Sequence, residues 1–268
     1  MASPTTIVCW GLLVGSFAGL AAAAEPRAWP YESSLGRFQI HADFDVSAAA
    51  PLAPELSELA ADVRQVLAIE GGEQTVHVVL FASSAEYHRY MHNYFPQLPA
   101  RRALYIQDRG PGMLFAHWHS DVAADLRHEV THALLNDGGG PLPLWLDEGL
   151  AEYFEIERER RFRQADYLPD VAQRVGQGLI PQLEQLEQIE DLPQFTTDHY
   201  RDSWSWVHFL IHRSPETRQL LVAYVASLRS GVSQLPLSRQ LRQLSADVRG
   251  DYQAHFAELA TELRLRRN

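Results

Sequence analysis

A chain of 268 residues, 46% of them hydrophobic and 21% charged, has ordinary globular composition, which excludes a disordered, collagen-like or polytopic membrane protein. Its 23 basic side chains face 34 acidic ones, a formal charge of −11, which argues against a nucleic-acid partner because phosphate backbones are repelled. One cysteine allows neither an intrachain disulfide nor a multi-cysteine metal cluster, whereas 12 histidines make His, Asp and Glu the available ligands.

Residues 1–24 carry no charged side chain. An apolar run over 7–20 leads into four alanines, and Ala22-Ala23-Ala24 has the A-x-A form of a signal-peptidase site, followed by Glu25-Pro26. The run is nearly long enough for one uncleaved anchor, and it lacks the usual basic start. No basic stop-transfer cluster follows it, so the segment reads as a cleaved export signal. The mature chain is then periplasmic or secreted, with no membrane insertion. Cys9 lies inside the signal, so cleavage leaves a cysteine-free protein that needs no disulfides after export.

From about residue 35 strands and helices alternate. Residues 37–44 (RFQIHADF) have the period of a strand, and 54–69 have helical spacing, with Leu56, Leu59, Ala60, Val63 and Leu67 on one face and a stop at Gly71-Gly72. Residues 75–81 (TVHVVLF) read as a short buried strand. Ser83 or Ser84 caps a helix that runs to Tyr94 and stops before Pro96. Residues 103–107 and 113–119 read as a strand pair around Arg109-Gly110-Pro111-Gly112. A helix over 121–135 ends at Asn136-Asp137-Gly138-Gly139-Gly140. Beyond Pro141 and Pro143 the spacing predicts helices over 146–163, 181–189, 203–212, 216–228 and 238 to about 264. The charged run 157–163 reads as a solvated helix face. The fold class is α+β: an α/β lobe over about 35–140 and a helical lobe over 141–268, in one domain spanning 25–268.

His128-Glu129-Val130-Thr131-His132 is an H-E-x-x-H sequence on the 121–135 helix. Residues four apart on a helix differ by about 40° in direction, so both imidazoles leave one face and can bind one zinc ion. Glu129, beside the first ligand, can reach a water at that ion and act as general base. Catalytic zinc sites commonly use three protein ligands and leave the fourth position open. Glu148, on the next helix after a short Gly/Pro loop, is the natural third ligand.

This arrangement resembles the gluzincin branch of zinc metallopeptidases, to which thermolysin and the zinc aminopeptidases belong. Residues 141–155 (PLPLWLDEGLAEYFE) resemble the aminopeptidase signature W-L-N-E-G-F-A around the glutamate ligand. They are still more similar to a group of exported bacterial peptidase-MA-like domains of unassigned function, which also carry a later Tyr-x-x-Ser-Trp helix. The likeness covers roughly residues 35–228, strongly at the motifs. It implies a zincin-like fold, with His128, His132 and Glu148 as zinc ligands and Glu129 as the base. It implies that Glu152 accepts a hydrogen bond from the first histidine, and that Asp147, where the family usually has Asn, supports the second and makes it more basic. It further implies that Tyr200, just ahead of the 203–212 helix, donates to the oxyanion, with His199 the competing donor. An edge strand at 113–119 is expected to pair with substrate backbone.

Other histidines serve as internal controls. His88 and His92, and His208 and His212, share the four-residue spacing but lack the following Glu, and read as surface or satisfied core histidines. His117 and His119 read as lining or flanking the cleft, and Trp204 and Trp206 as core and cleft wall. The expected function is hydrolysis of a peptide or protein substrate by zinc-activated water. The alternatives are a catalytically silent binding module on the same fold and a zinc amidohydrolase acting on a cell-wall or other non-peptide amide. Oligomeric state and endo- versus exo-cleavage stay open in the sequence.

Overall fold

The computed structural model describes residues 29–267 except 46, 48–50, 70–73, 108–110 and 164. The expected export signal and the stop at Gly71-Gly72 lie outside the described residues, as do Arg109 and Gly110 of the expected turn. The architecture is mixed α+β, a five-stranded sheet followed by a helical C-terminal part. Among the described residues no helix is long and apolar enough to cross a membrane.

The sheet order is β1 (Tyr31–Leu35), β2 (Phe38–Ala42), β3 (Val76–Phe81), β5 (Gly112–His117) and β4 (Ala103–Ile106). β1 and β2 form an antiparallel hairpin that turns at Gly36, whose φ of 54° is cheap for a residue without Cβ. β2, β3 and β5 run parallel, and β4 closes the far edge antiparallel to β5. The interior strand β3 is apolar on both faces, because each covers a different core. Val76, Val78 and Leu80 face α1 (Leu52–Leu67) and α3 (Val122–Asn136), while Val79 and Phe81 face Tyr87 and Met91 of α2 (Ser84–Tyr94). β1 has no counterpart in the sequence reading, since its residues 31–34 (YESS) are exposed and lack apolar alternation. The expected edge at 113–119 is corrected too: β5 is interior and β4 is the edge.

α3 and α4 (Leu144–Glu155) form the middle of the molecule, and almost every residue of both is buried. Such helices show little amphipathic contrast because they are covered on all sides. α4 packs between α3 and α7 (Thr197–His212), which is followed by α8 (Pro215–Arg229). The approach of α4 to α7 is close at Gly149, where a Cβ would stand 2.7 Å from the Ser203 carbonyl oxygen. The α3–α4 loop is tied to α8: the Arg229 guanidinium donates to the carbonyls of Leu135 and Asp137, and the Arg229 carbonyl accepts from Gly140 N–H at 2.8 Å.

Three predicted helices are shorter than expected. The 146–163 helix ends at Glu155, and the chain turns through Ile156 in an extended conformation. Arg161, expected on a solvated face, is buried, paired with Asp62 of α1, and donates to the Ile156 carbonyl at 3.1 Å. The 181–189 segment keeps one helical turn, α6 (Leu183–Leu186), after α5 (Leu168–Gly176). The last helix divides into α9 (Leu237–Leu244) and α10 (Val248–Arg267). Ser245 lies at the break, its hydroxyl on Asp251 at 2.6 Å, a local side-chain bond that competes with helix continuation.

Candidate metal centre

The two histidines of α3 leave the same face one turn apart, with ring centroids 4.9 Å from each other and no exposure to solvent. α4 crosses this face and presents Glu148 to both: its Oε2 stands 3.7 Å from His128 Nε2 and 3.8 Å from His132 Nε2. Both Nε2 atoms and both Glu148 oxygens are buried without a hydrogen-bond partner among the described residues. Buried polar atoms are normally satisfied, so four converging lone-pair atoms with no donor define a place for a cation. Two ligands of a tetrahedral ion, each about 2 Å from it, stand roughly 3.3 Å apart. The cluster is therefore within a small adjustment of holding one ion. His128, His132 and Glu148 could hold a metal.

The far nitrogens fix the rings. His132 Nδ1 donates to Asp147 Oδ2 at 2.9 Å, and His128 Nδ1 donates to Glu155 Oε2 at 3.1 Å. A proton held on each Nδ1 leaves the Nε2 lone pairs facing Glu148. Burial disfavours an imidazolium at His128, but the carboxylates of Glu148 and Glu155 outweigh it and raise its pKa, so a cation bound at Nε2 would take the place of a proton there. The expectation for Asp147 is met in position. That for Glu152 is corrected: the acid on His128 is Glu155. Residues 148, 152 and 155 share one side of α4, and seven residues along a helix return closer to the starting direction than four do. The signal was present as E-x-x-x-E-x-x-E in the sequence. Glu152 lies beside the pair, accepts from the Tyr167 hydroxyl, and is held well above the usual carboxylate range by burial and by Glu155. A second grouping of His128, Glu152 and Glu155 also lies within ligand reach, but it would need the His128 nitrogen already bonded to Glu155.

Glu129 is buried beside the two imidazoles, and its Oε2 accepts the Tyr105 N–H at 2.7 Å. That N–H belongs to the edge strand β4, so the sheet edge and the candidate site meet at this carboxylate. Burial pushes the Glu129 carboxyl up to about 7, against the pull of His128, His132 and the Tyr105 amide. Its other oxygen has no hydrogen-bond partner among the described residues.

Tyr200 lies in the first turn of α7, not ahead of the helix, because the helix begins at Thr197 rather than 203. Its side chain is buried with Phe195 edge-on at 4.8 Å, and its hydroxyl has no hydrogen-bond partner among the described residues. Burial and then the Glu148 charge push the phenol far above its ordinary range, which places the hydroxyl in the field of that carboxylate. His199 is engaged elsewhere: its Nδ1 accepts the Thr196 N–H at 3.0 Å and caps α7.

The control histidines behave as ordinary ones. His208 bonds His255 Nε2 and the Phe162 carbonyl, each at 3.0 Å, and His212 Nε2 accepts the Tyr153 hydroxyl at 2.8 Å. His88 is exposed and bonds the Ser84 carbonyl one turn back at 2.7 Å, and His92 is exposed. His117 ends β5, while His119 lies beyond it and binds Asp125 of α3 at 3.0 Å. Trp204 and Trp206 are core. No family model matches the chain, and no curated protein matches it.

Proposed function

We propose that the chain is an exported zinc metallopeptidase with a zincin-like fold, in which His128, His132 and Glu148 hold the ion. The observation that carries this reading is the convergence of two Nε2 atoms and one carboxylate, all buried and without a partner among the described residues, beside a second carboxylate, Glu129. Two imidazoles and a carboxylate are a donor set suited to zinc, with a position left open for water. A zinc ion bound there supplies Lewis acidity, which makes water nucleophilic near neutral pH and polarises a carbonyl oxygen.

The protein's own groups do the rest. Glu129, aimed by the Tyr105 amide, takes the proton of the attacking water and delivers it to the leaving amine. Tyr200 presents a neutral, directional donor from the opposite wall to the oxyanion. The outer edge of β4 offers backbone groups to an extended peptide, the mode in which a substrate adds a strand to a sheet. Asp147 and Glu155 hold the ligand rings.

The test is digestion of a peptide library by the purified mature chain, with and without chelator, next to Glu129→Gln. Chelator-sensitive cleavage, lowered at least roughly 10²-fold in Glu129→Gln at unchanged zinc content, is expected for loss of a general base. Zinc binding without cleavage of any peptide would move the reading to a binding module or to hydrolysis of a non-peptide amide.

A further inference from the structure

β4 meets α3 through two carboxylates that stand one helical turn apart. Glu129 Oε2 accepts the Tyr105 N–H at 2.7 Å, and on the turn before it Asp125 Oδ1 accepts from the Arg102 guanidinium at 2.6 Å. Arg102 is the residue just ahead of β4. Four residues of helix rise about 6 Å and three residues of strand about 10 Å, a difference that the long Arg102 side chain takes up. The Tyr105 N–H is a donor that β4 does not give to β5. An edge strand has every second amide facing outward, and this one is filled by the carboxylate proposed as the base.

Asp125 is also held from a third side. It is 2% exposed, and its Oδ2 accepts from His119 Nε2 at 3.0 Å. His119 Nδ1 accepts the Asp121 N–H at 3.1 Å, so the ring carries its proton on Nε2 and points it at the carboxylate. Arg102 also approaches Asp121 Oδ2, at 3.8 Å. The start of β4, the β5–α3 connection and α3 therefore meet at one buried carboxylate with both oxygens in use. A guanidinium on such a carboxylate is a charge-assisted bond, stronger than the neutral contacts around it. The three candidate ligands lie on α3 and α4, and β4 supplies none of them. Moving β4 off α3 would take the Tyr105 amide from Glu129 and leave His128, His132 and Glu148 in place. Resting on the peptidase reading for Glu129, we infer that Arg102 and Asp125 are positioning residues: their ion pair clamps β4 to α3 and keeps the Tyr105 amide on Glu129, aiming the base without acting on the metal ligands. His119 holds the Asp125 carboxylate in the orientation the clamp needs.

The test reads the clamp in two ways. Amide hydrogen exchange over residues 103–106 is followed by mass spectrometry on the zinc-loaded chain, and cleavage of a peptide found in the library is resolved into kcat and KM. Wild type is compared with Arg102→Gln, Arg102→Lys, Asp125→Asn and the double variant Arg102→Gln/Asp125→Asn. Arg89→Gln, which removes an exposed α2 cation paired with Glu86, is the control for lost charge. In Arg102→Gln the 103–106 amides are expected to exchange about 10-fold to 100-fold faster, the scale of a charge-assisted hydrogen bond, at unchanged zinc content. Its kcat is expected to fall about 10-fold, part of the roughly 10²-fold that a general base supplies, with KM nearly unchanged. Asp125→Asn does the same, the double variant falls no further than either single one, Arg102→Lys keeps part of the effect, and Arg89→Gln changes nothing. Added to Glu129→Gln, Arg102→Gln costs nothing more, because a residue that acts through the base has nothing left to aim. Unchanged exchange, zinc lost together with activity, or an equal fall in the Glu129→Gln background overturns the clamp and leaves the peptidase reading standing. Faster exchange in Arg102→Gln and Asp125→Asn, with no peptide cleaved by wild type, keeps the clamp and overturns the peptidase reading. Neither faster exchange nor cleavage overturns both.

Discussion

At the residue scale the candidate centre is two nested layers, and each makes a separable claim. His128→Ala, His132→Ala and Glu148→Ala are each expected to lose most of the bound zinc, while the exposed His88→Ala keeps it. Metal analysis of the purified variants decides this, and full occupancy in Glu148→Ala would remove the third ligand from the proposal. Carboxylates behind ligand histidines typically alter metal affinity 10-fold to 100-fold. Because Glu155, not Glu152, bonds His128 Nδ1, Glu155→Gln is expected to weaken zinc binding within that range in a competition titration, and more than Glu152→Gln does. Tyr200 belongs to a third kind of test. Its hydroxyl has no partner among the described residues, so Tyr200→Phe is expected to remove an interaction made only when charge develops on the carbonyl oxygen. A fall of about 10²-fold in kcat is expected, with KM and zinc content nearly unchanged. His199→Ala removes a helix cap and is expected to act on stability instead. If the two variants exchanged effects, the donor would be His199.

At the element scale the centre depends on how closely three helices approach. α4 can bring Glu148 to α3 while touching α7 because position 149 has no side chain. A methyl there would meet the Ser203 carbonyl at 2.7 Å, too close for a carbon. Gly149→Ala is therefore expected to destabilise by about 1–3 kcal/mol, the usual cost of overpacking, although Ala is the better helix former. Urea unfolding measures it; a gain in stability would mean that α7 is free to move away. The glycine was visible in the sequence as part of a motif, but its reason is tertiary. The same division runs through the fold. The pairing of His128, His132 and Glu148 was legible because helix periodicity alone puts two histidines on one face, and a short loop returns the next helix. Glu155 was missed because the likeness to a family pointed one turn too early along α4. The edge position of β4 was not legible, since a strand's place in a sheet is set by crossovers that leave no local pattern. β1 escaped because its exposed residues lack the period-2 signal, and the end of α4 escaped because Arg161 turns inward to a partner 99 residues away.

At the scale of the whole molecule, the helical part carries a second histidine cluster that the candidate chemistry does not use. His208 and His255 bond one another between α7 and α10, and His212 receives the Tyr153 hydroxyl from α4. His208 Nε2 must donate to the Phe162 carbonyl, so its Nδ1 accepts and His255 donates, a chain that holds only while the His208 ring is neutral. Burial comes first in keeping all three rings neutral. It is reinforced at His212 by His208, His255, Arg218 and Arg161, and at His255 by His208 and Arg213. Their pKa values are lowered to about 4 for His208, about 2 for His212 and about 3 for His255. The unfolded chain takes up these protons near pH 6.5, and the folded protein does so only far below that. Between those values the unfolded state binds more protons, so this contribution to stability is complete above pH 6.5 and lost as pH falls, at about 1.4 kcal/mol per pH unit for each histidine. The buried carboxyls Glu129 and Glu152, held above their usual range, act in the opposite sense, and the total slope is therefore not diagnostic. The difference between two proteins is. His255→Gln keeps an amide donor for His208 and removes one titrating ring, so its stability deficit relative to wild type is expected to shrink by about 2 kcal/mol between pH 7.5 and pH 5. Chemical denaturation at a series of pH values reads that difference directly. A deficit that stays constant across the range would mean that His255 takes its proton in the folded protein as readily as in the unfolded chain.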